Sequence, residues 1–386
     1  MKTVRIGIVG IGNMGSVHAR NILAGKIERL ELTAVADSDP QKVARVPQVK
    51  GFSTADEMIA SGLIDAILIA TPHYDHTTIG IKALKAGMHV LVEKPLSVHR
   101  ADCERLIAAH TNKKQVFAAM FNQRTDHYYL KIRDLIQSGE LGEIRRVNWI
   151  ITDWFRTETY YSSGGWRATW GGEGGGVLLN QCPHNLDLFQ WMFGLPVTLR
   201  ANCQFGKYHD IEVEDDVTAT MTFKNGATGV FITSTGEAPG TNRLEITAER
   251  GKVVYEKDKI TYTRNVQEMT AFSRTTDQSF GRPDVWEVNI PAPSHGEQHN
   301  GILKNFTDAI LDGAPLVAPA AEGIRSVELA NAMLMSAWTD KAVTFPIDGK
   351  KYERLLKAKI AASKASKKKK KAVKVTGDDF SKSFKG

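Results

Sequence analysis

Cysteine is scarce in this sequence: Cys103, Cys182 and Cys203 are the only three among 386 residues. An odd, widely spaced set excludes a disulfide framework and points to a reducing compartment, here the cytoplasm. No pair has zinc-site spacing, so no metal is expected. Long apolar runs are also missing. The best, residues 64–70, is interrupted by Asp65 and falls short of a membrane span. The opening MKTVRIGIVGIG lacks a signal-peptide layout, because glycines break the apolar stretch at once. The chain has no internal repeat.

A large excess of one charge sign is absent from the body of the chain, although the whole carries +7. From Lys350 to the end, 14 Lys/Arg face 3 Asp/Glu, a net of +11, so the remainder carries −4. The basicity belongs to a tail, not to a nucleic-acid-binding face. From Tyr352 onward the chain is mostly Ala, Ser and Lys, with Lys367–Lys371 consecutive. Self-repulsion predicts a disordered tail over 350–386, and any contact it makes with nucleic acid is weak and electrostatic. What is present, 42% hydrophobic and 24% charged residues, is an ordinary globular composition. The length suggests two domains.

Residues 1–122 alternate strand-like and helix-like patterns. Apolar runs occur at Val4–Val9, Leu32–Ala36, Ala66–Ala70, His89–Val92 and Val116–Met120. This alternation predicts a doubly wound parallel sheet of the Rossmann type. The style changes over 123–349. DVTATMTF and NRLEITAE alternate apolar and polar residues, and Lys224-Asn225-Gly226 follows the first as a hairpin turn. An α+β domain with a large, mostly antiparallel open sheet is expected there. Residues 177–193 read as one helix that carries Asn180 and His184 on a shared face, with Asp187 one turn on.

RIGIVGIGNMGSVHAR places Gly10, Gly12 and Gly15 as G-x-G-x-x-G, after a strand and opening a helix. That context is the one a dinucleotide turn requires. Gly10 permits the tight turn, Gly12 the close approach of a pyrophosphate and Gly15 helix–strand packing. Asp37 ends the second strand and suits the two ribose hydroxyls of an adenosine. Its charge opposes a 2′-phosphate and so favours NAD, while Lys42 and Arg45 offset part of that repulsion and leave NADP open. Thr71-Pro72 leaves the carboxyl edge of the fourth strand, where ligands of open α/β sheets bind. The fifth strand delivers Glu93 and Lys94 to the same edge, and Pro95 stiffens the exit. A cationic nicotinamide and partial burial lower a lysine's pKa, which makes Lys94 a candidate general base.

These motifs, with SGELGEI (Ser138–Ile144), WRATWGGEGGG (Trp166–Gly176) and LLNQCPHNLD (Leu178–Asp187), are together specific. Over about residues 3–345 the chain resembles the glucose–fructose oxidoreductase, inositol dehydrogenase and rhizopine catabolism (Gfo/Idh/MocA) family of NAD(P)-dependent oxidoreductases. The resemblance implies a catalytic or substrate-positioning role for Lys94, and His184 falls on the family's catalytic histidine. Asn180 replaces the commoner aspartate; an amide hydrogen-bonds a hydroxyl but brings no charge. The division of labour between Lys94 and His184 stays open.

The cofactor contacts expected are Gly10, Gly12, Asn13, Met14 and Gly15 at the phosphates, Asp37 at the ribose, and Thr71, Pro72, His76, Glu93, Lys94 and Asn122 along the sheet edge. Trp166 and Arg167 are implied near the nicotinamide. The substrate contacts expected are Lys94, Arg124, Asp153, Arg156, Tyr161, Asn180 and His184. Aromatic faces with arginines in the 153–170 loop suit a sugar ring. Reversible hydride transfer between NAD and a secondary hydroxyl of a sugar, glycoside or inositol-like polyol is the expected activity. A nucleotide-sugar dehydrogenase, a redox-assisted glycosidase and a non-catalytic NAD-sensing regulator are the alternatives. A homodimer or homotetramer is the expected assembly, since an open sheet with one free face often mates with its copy.

Overall fold

A computed structural model describes residues 2–363. Six strands form the first sheet: β1 (Val4–Val9), β2 (Leu30–Ala36), β3 (Lys50–Phe52), β4 (Ala66–Ile69), β5 (His89–Val92) and β6 (Phe117–Ala119). Their order is β3-β2-β1-β4-β5-β6, and all pairs are parallel. Such strands are buried on both faces, which is why β4 and β5 read as continuous apolar runs. The chain order reverses between β1 and β4, so the turns after β1, β4 and β5 meet at one carboxyl edge.

Nine further strands form the second sheet: β7 (Ile144–Ile151), β8 (Thr198–Phe205), β9 (Glu214–Thr222), β10 (Thr228–Ser234), β11 (Asn242–Ala248), β12 (Gly251–Glu256), β13 (Lys259–Asn265), β14 (Val285–Ile290) and β15 (Val343–Thr344). The order is β14-β13-β12-β11-β7-β10-β9-β8-β15, and only β7 and β10 run parallel. Strand β9 buries Val217, Ala219 and Met221 and exposes the threonines between them, as its alternation predicts. The expected hairpin joins β9 to β10.

Two apolar cores result, one per sheet. The helix Gln298–Asp312 follows eight of the nine strands of the second sheet in sequence, yet Ile302, Leu303 and Phe306 pack into the first core. The chain therefore returns to the first domain after building the second. That return brings residues 298–300 to the sheet edge, where Asn21 donates to Asn300 at 3.1 Å.

The expected disorder from residue 350 is corrected in part. Residues Gly349–Ala362 form a helix that begins at Asp348, whose carboxylate accepts the Lys351 N–H. Tyr352 and Leu356, four apart, share one face and are buried, and Tyr352 stacks on Trp338 with ring centroids 5.4 Å apart. The lysines occupy the solvent side, so a basic composition conceals an amphipathic stripe. The five-lysine run and its expected polyanion contact lie outside the described residues. Among the described residues, no helix is long and apolar enough to cross a membrane.

Candidate active site

The helix Asn13–Leu23 opens directly after β1, with Gly12 at its N-cap and no side chain closing its first turn. Its leading N–H groups are left for a ligand. Gly10 has φ +89°, and a Cβ there would sit 2.6 Å from the Ala70 carbonyl oxygen. A Cβ on Gly12 would meet nothing within 4 Å, so this is where a phosphate has room to approach the backbone. Gly15 plays a different part. Its Cβ would lie 1.9 Å from the Gly10 oxygen, so it serves close packing of helix on turn, not contact with the ligand.

One cleft of about 690 Å³ runs from this turn across the sheet edge into the second domain. Asp37 lines its outer end, held by the Ile11 N–H at 2.8 Å and the Asp39 N–H at 2.9 Å. The Lys42 ammonium lies 3.5 Å from the same carboxylate. Thr71 and Pro72 line the middle, and the Thr71 hydroxyl is buried with no protein partner. An uncapped helix start, an open Gly12, an oriented carboxylate and an orphaned hydroxyl together fit a dinucleotide.

The inner end gathers ionisable and amide side chains from both sides of the cleft. Lys94, Glu93, His73, Asn180, Gln181, His184 and His299 all line it. The Lys94 ammonium donates to the Asn180 carbonyl at 2.8 Å, a bond that crosses the domain junction. Burial pushes the Lys94 pKa down, with Arg167 and Arg156 pushing the same way and Glu93 and Glu173 opposing them. His184 is held well below the ordinary imidazole range by burial and then by Lys94. It is therefore neutral, and its Nδ1 is buried without a partner. Burial would raise Glu93, but the His18 ring at 2.6 Å overrides it and holds the carboxyl at about 2.

The loop 154–167 forms one wall. The Arg156 guanidinium lies over Trp154 and Tyr160 (5.5 and 5.2 Å), and that of Arg167 over Tyr160 and Trp166 (4.7 and 4.9 Å). Rings and cations thus alternate along the cavity.

Several expected contacts are not brought to the cleft. His76 is fully buried between the Thr71 and Pro95 carbonyls, 2.9 Å from each, and braces the two loops from behind. Asn122 turns away and donates to Gln298 at 2.6 Å. Arg124 is buried in a forked pair with Asp187, 2.7 Å to each oxygen, and reaches Glu322 at 2.5 Å. Tyr161 points inward, and its hydroxyl donates to Thr235 at 2.8 Å; Tyr160 faces the cavity in its place. Asp153 lies outside the cavity lining. Asn180 and His184 both line the cleft, but not from one helix, because the helix starts at Pro183 and Asn180 sits in the turn before it.

Other groups had no clear signal. His18 is three residues beyond Gly15 and legible only once Glu93 is known to face it. His299 arrives with the returning helix and packs edge-on to His18, centroids 5.6 Å apart. Among the described residues, no group of three His, Cys, Asp or Glu is placed to hold a metal ion.

A dinucleotide cleft that ends in a lysine and an imidazole defines the chain as an NAD-binding oxidoreductase. Two family models match it. An oxidoreductase-family, NAD-binding Rossmann-fold domain covers residues 4–121, and the GFO/IDH/MocA C-terminal domain covers residues 129–254. Together they span more than half of the chain, which belongs to the Gfo/Idh/MocA family. The chain is 24% identical to the myo-inositol 2-dehydrogenase of Thermotoga maritima over 88% of its own length and 98% of the relative's. It is 24% identical to the inositol 2-dehydrogenase of Rhizobium meliloti over 86% and 97%. Among solved structures it is similar to the WlbA dehydrogenase of Chromobacterium violaceum in complex with NADH and UDP-GlcNAcA. The TM-score is 0.78 and the identity 25%, with 90% of this chain and 97% of that one covered. A levoglucosan dehydrogenase bound to NADH and L-sorbose shares the fold with TM-score 0.75 at 22% identity, covering 90% and 100%.

Proposed function

We propose that the chain transfers a hydride reversibly between NAD and a secondary hydroxyl of a sugar, glycoside or cyclic polyol. The observation that carries this is that Lys94 and His184 line one cavity beyond an open dinucleotide turn. NAD, when bound, supplies the hydride acceptor. Its diphosphate suits Gly12 and the N–H groups of Asn13 and Met14, its adenosine ribose suits Asp37, and Thr71 and Pro72 lie along its middle.

Lys94 takes the hydroxyl proton. Its amine is lowered toward working pH by burial, and the Asn180 carbonyl orients it. His184 is too weak a base at its depressed pKa to hold that proton. Being neutral, it accepts or donates one hydrogen bond and holds the hydroxyl in line. The aromatic wall covers the ring's apolar face and keeps out water. Three buried free thiols suit a reducing compartment, and we place the activity in the cytoplasm.

A second reading has an observation behind it. Arg156 and Arg167 on the same wall suit a substrate that bears a carboxylate or phosphate, such as a nucleotide sugar. A panel of inositols, free sugars, sugar acids, glycosides and nucleotide sugars, with NAD and NADP, tests both through reduced-nicotinamide absorbance. Reduction by neutral polyols or sugars supports the first reading, and reduction confined to charged or nucleotide-linked sugars supports the second. No reduction with any member contradicts both.

A further inference from the structure

Glu173 is a buried carboxylate beside the reacting groups, and hydride transfer as described gives it no task. It lies in the glycine-rich run after Arg167, and burial raises its carboxyl pKa, with Arg167 the chief opposing charge. Its Oε2 accepts the Ala168 N–H at 2.6 Å. Its Oε1 accepts from the Asn180 side-chain NH2 and lies 3.7 Å from the Arg167 guanidinium.

Asn180 is thereby held from three sides. Its NH2 faces Glu173, its Oδ1 accepts from the Tyr160 hydroxyl at 3.3 Å, and its backbone carbonyl accepts from Lys94. Arg167 and Gln181 both donate to that Tyr160 hydroxyl, at 2.9 and 3.1 Å, and so turn its proton toward Asn180. A flipped amide would set its oxygen against a carboxylate and its NH2 against an O–H donor. Only one orientation satisfies both neighbours. Asn180, Tyr160, Arg167 and Gln181 line the cavity, whereas Glu173 stands behind them.

We propose that Glu173 is a positioning residue: it locks the Asn180 amide with its oxygen on the Tyr160 hydroxyl of the cavity wall and supplies, from behind, the negative charge that Lys94 works against. This rests on the reading of Lys94 as the proton acceptor. The other ionisable side chains that feel Glu173 are Arg167, Glu214 and Tyr161, and His73 contacts its backbone carbonyl at 3.2 Å.

Exchanging the two residues tests it. Glu173→Gln removes the charge and frees the amide. Asn180→Asp sets two carboxylates against each other, so that one must take up a proton. The double variant N180D/E173Q restores one amide, one carboxylate and the contact between them with the ends exchanged. The first readout is the pH dependence of Lys94 acetylation by acetic anhydride in the NAD-loaded protein, followed by mass spectrometry. The second is kcat and KM on the best panel substrate. A nearby negative charge raises an amine's pKa, so Glu173→Gln shifts the Lys94 labelling midpoint to lower pH, and the double variant moves it back. Each single variant lowers kcat about tenfold or more with NAD affinity retained, and the double recovers to within about threefold of the parent. A double variant as impaired as the product of the singles overturns the proposal, as does a midpoint that Glu173→Gln leaves in place. If Glu173→Gln does not fold, a folded and active double beside an impaired Asn180→Asp still supports it, and an inactive double overturns it. Labelling needs no substrate. Absent turnover therefore contradicts the proposed activity, and an unmoved midpoint contradicts the role of Glu173.

Discussion

Lys94 is aimed by its strand, stiffened by Pro95 and anchored on the Asn180 carbonyl, so its amine has one position and a lowered pKa. In the proposed reaction it is the neutral form that takes the hydroxyl proton. As pH rises through the depressed pKa, that form accumulates, so kcat/KM for alcohol oxidation rises with pH and levels off below the ordinary lysine value of 10.5. Initial rates across pH check this; a rise that continues past 10.5 contradicts it. At the far end of the cleft, the role proposed for Asp37 is to discriminate between cofactors by charge. Asp37→Ser removes the repulsion of a 2′-phosphate while Lys42 stays close by, so the NAD/NADP preference in kcat/KM falls by about tenfold or more, the worth of about 1.4 kcal/mol. An unchanged ratio sinks that role. Both residues were legible in sequence because each ends a strand whose apolar run is unmistakable. Arg124 and Tyr161 were not placed correctly. Adjacency to a motif shows that a residue is near the site, but its side-chain direction depends on partners such as Asp187 and Thr235 that lie far along the chain.

Elements show the same division. The paired strands could be read because two-residue alternation survives in β9 and β11, whereas the three residues of β3 are too short to carry a pattern. The helix Gly349–Ala362 was hidden by its lysines, although Tyr352 and Leu356 stand at helical spacing. Its docking rests on Tyr352, which is fully buried against Trp338. Tyr352→Ala removes that ring from the core and costs about 3–5 kcal/mol, which urea unfolding would show as a lower midpoint. A midpoint unchanged from the parent would mean that the helix does not dock there. The turn 177–182 was expected to be helical because Val177, Leu178 and Leu179 are apolar. Pro183 sets the true start by taking the first helical position.

At the scale of the molecule, the two cores are joined by buried charge. Arg124 follows the last strand of the first sheet beside Phe121, pairs with Asp187 on the helix Pro183–Phe193, and reaches Glu322 just ahead of the helix Gly323–Thr339. Arg124→Met leaves Asp187 buried and unpaired. We expect a loss of about 3–5 kcal/mol in stability by denaturant titration, and a loss under about 1 kcal/mol would contradict that role. Two different sheets, each with its own core, were foreseeable from length and from the change of sequence style near residue 122. The return of the helix Gln298–Asp312 to the first core was not, because an amphipathic helix does not say which sheet it covers. That return supplies His299 to the cleft, so the site depends on the whole topology.

In the proposed reaction, carbon-bound hydrogen passes from a carbinol to the nicotinamide while Lys94 takes the hydroxyl proton. Substrates deuterated at the carbinol carbons, incubated with the protein and NAD, test it through the mass of the reduced nicotinamide. One deuterium per reduced nicotinamide from at least one sugar or polyol is predicted. Transfer falls about a hundredfold or more in Lys94→Ala with NAD affinity retained. NAD bound tightly but no label from any panel member, or label passed undiminished by Lys94→Ala, would contradict it.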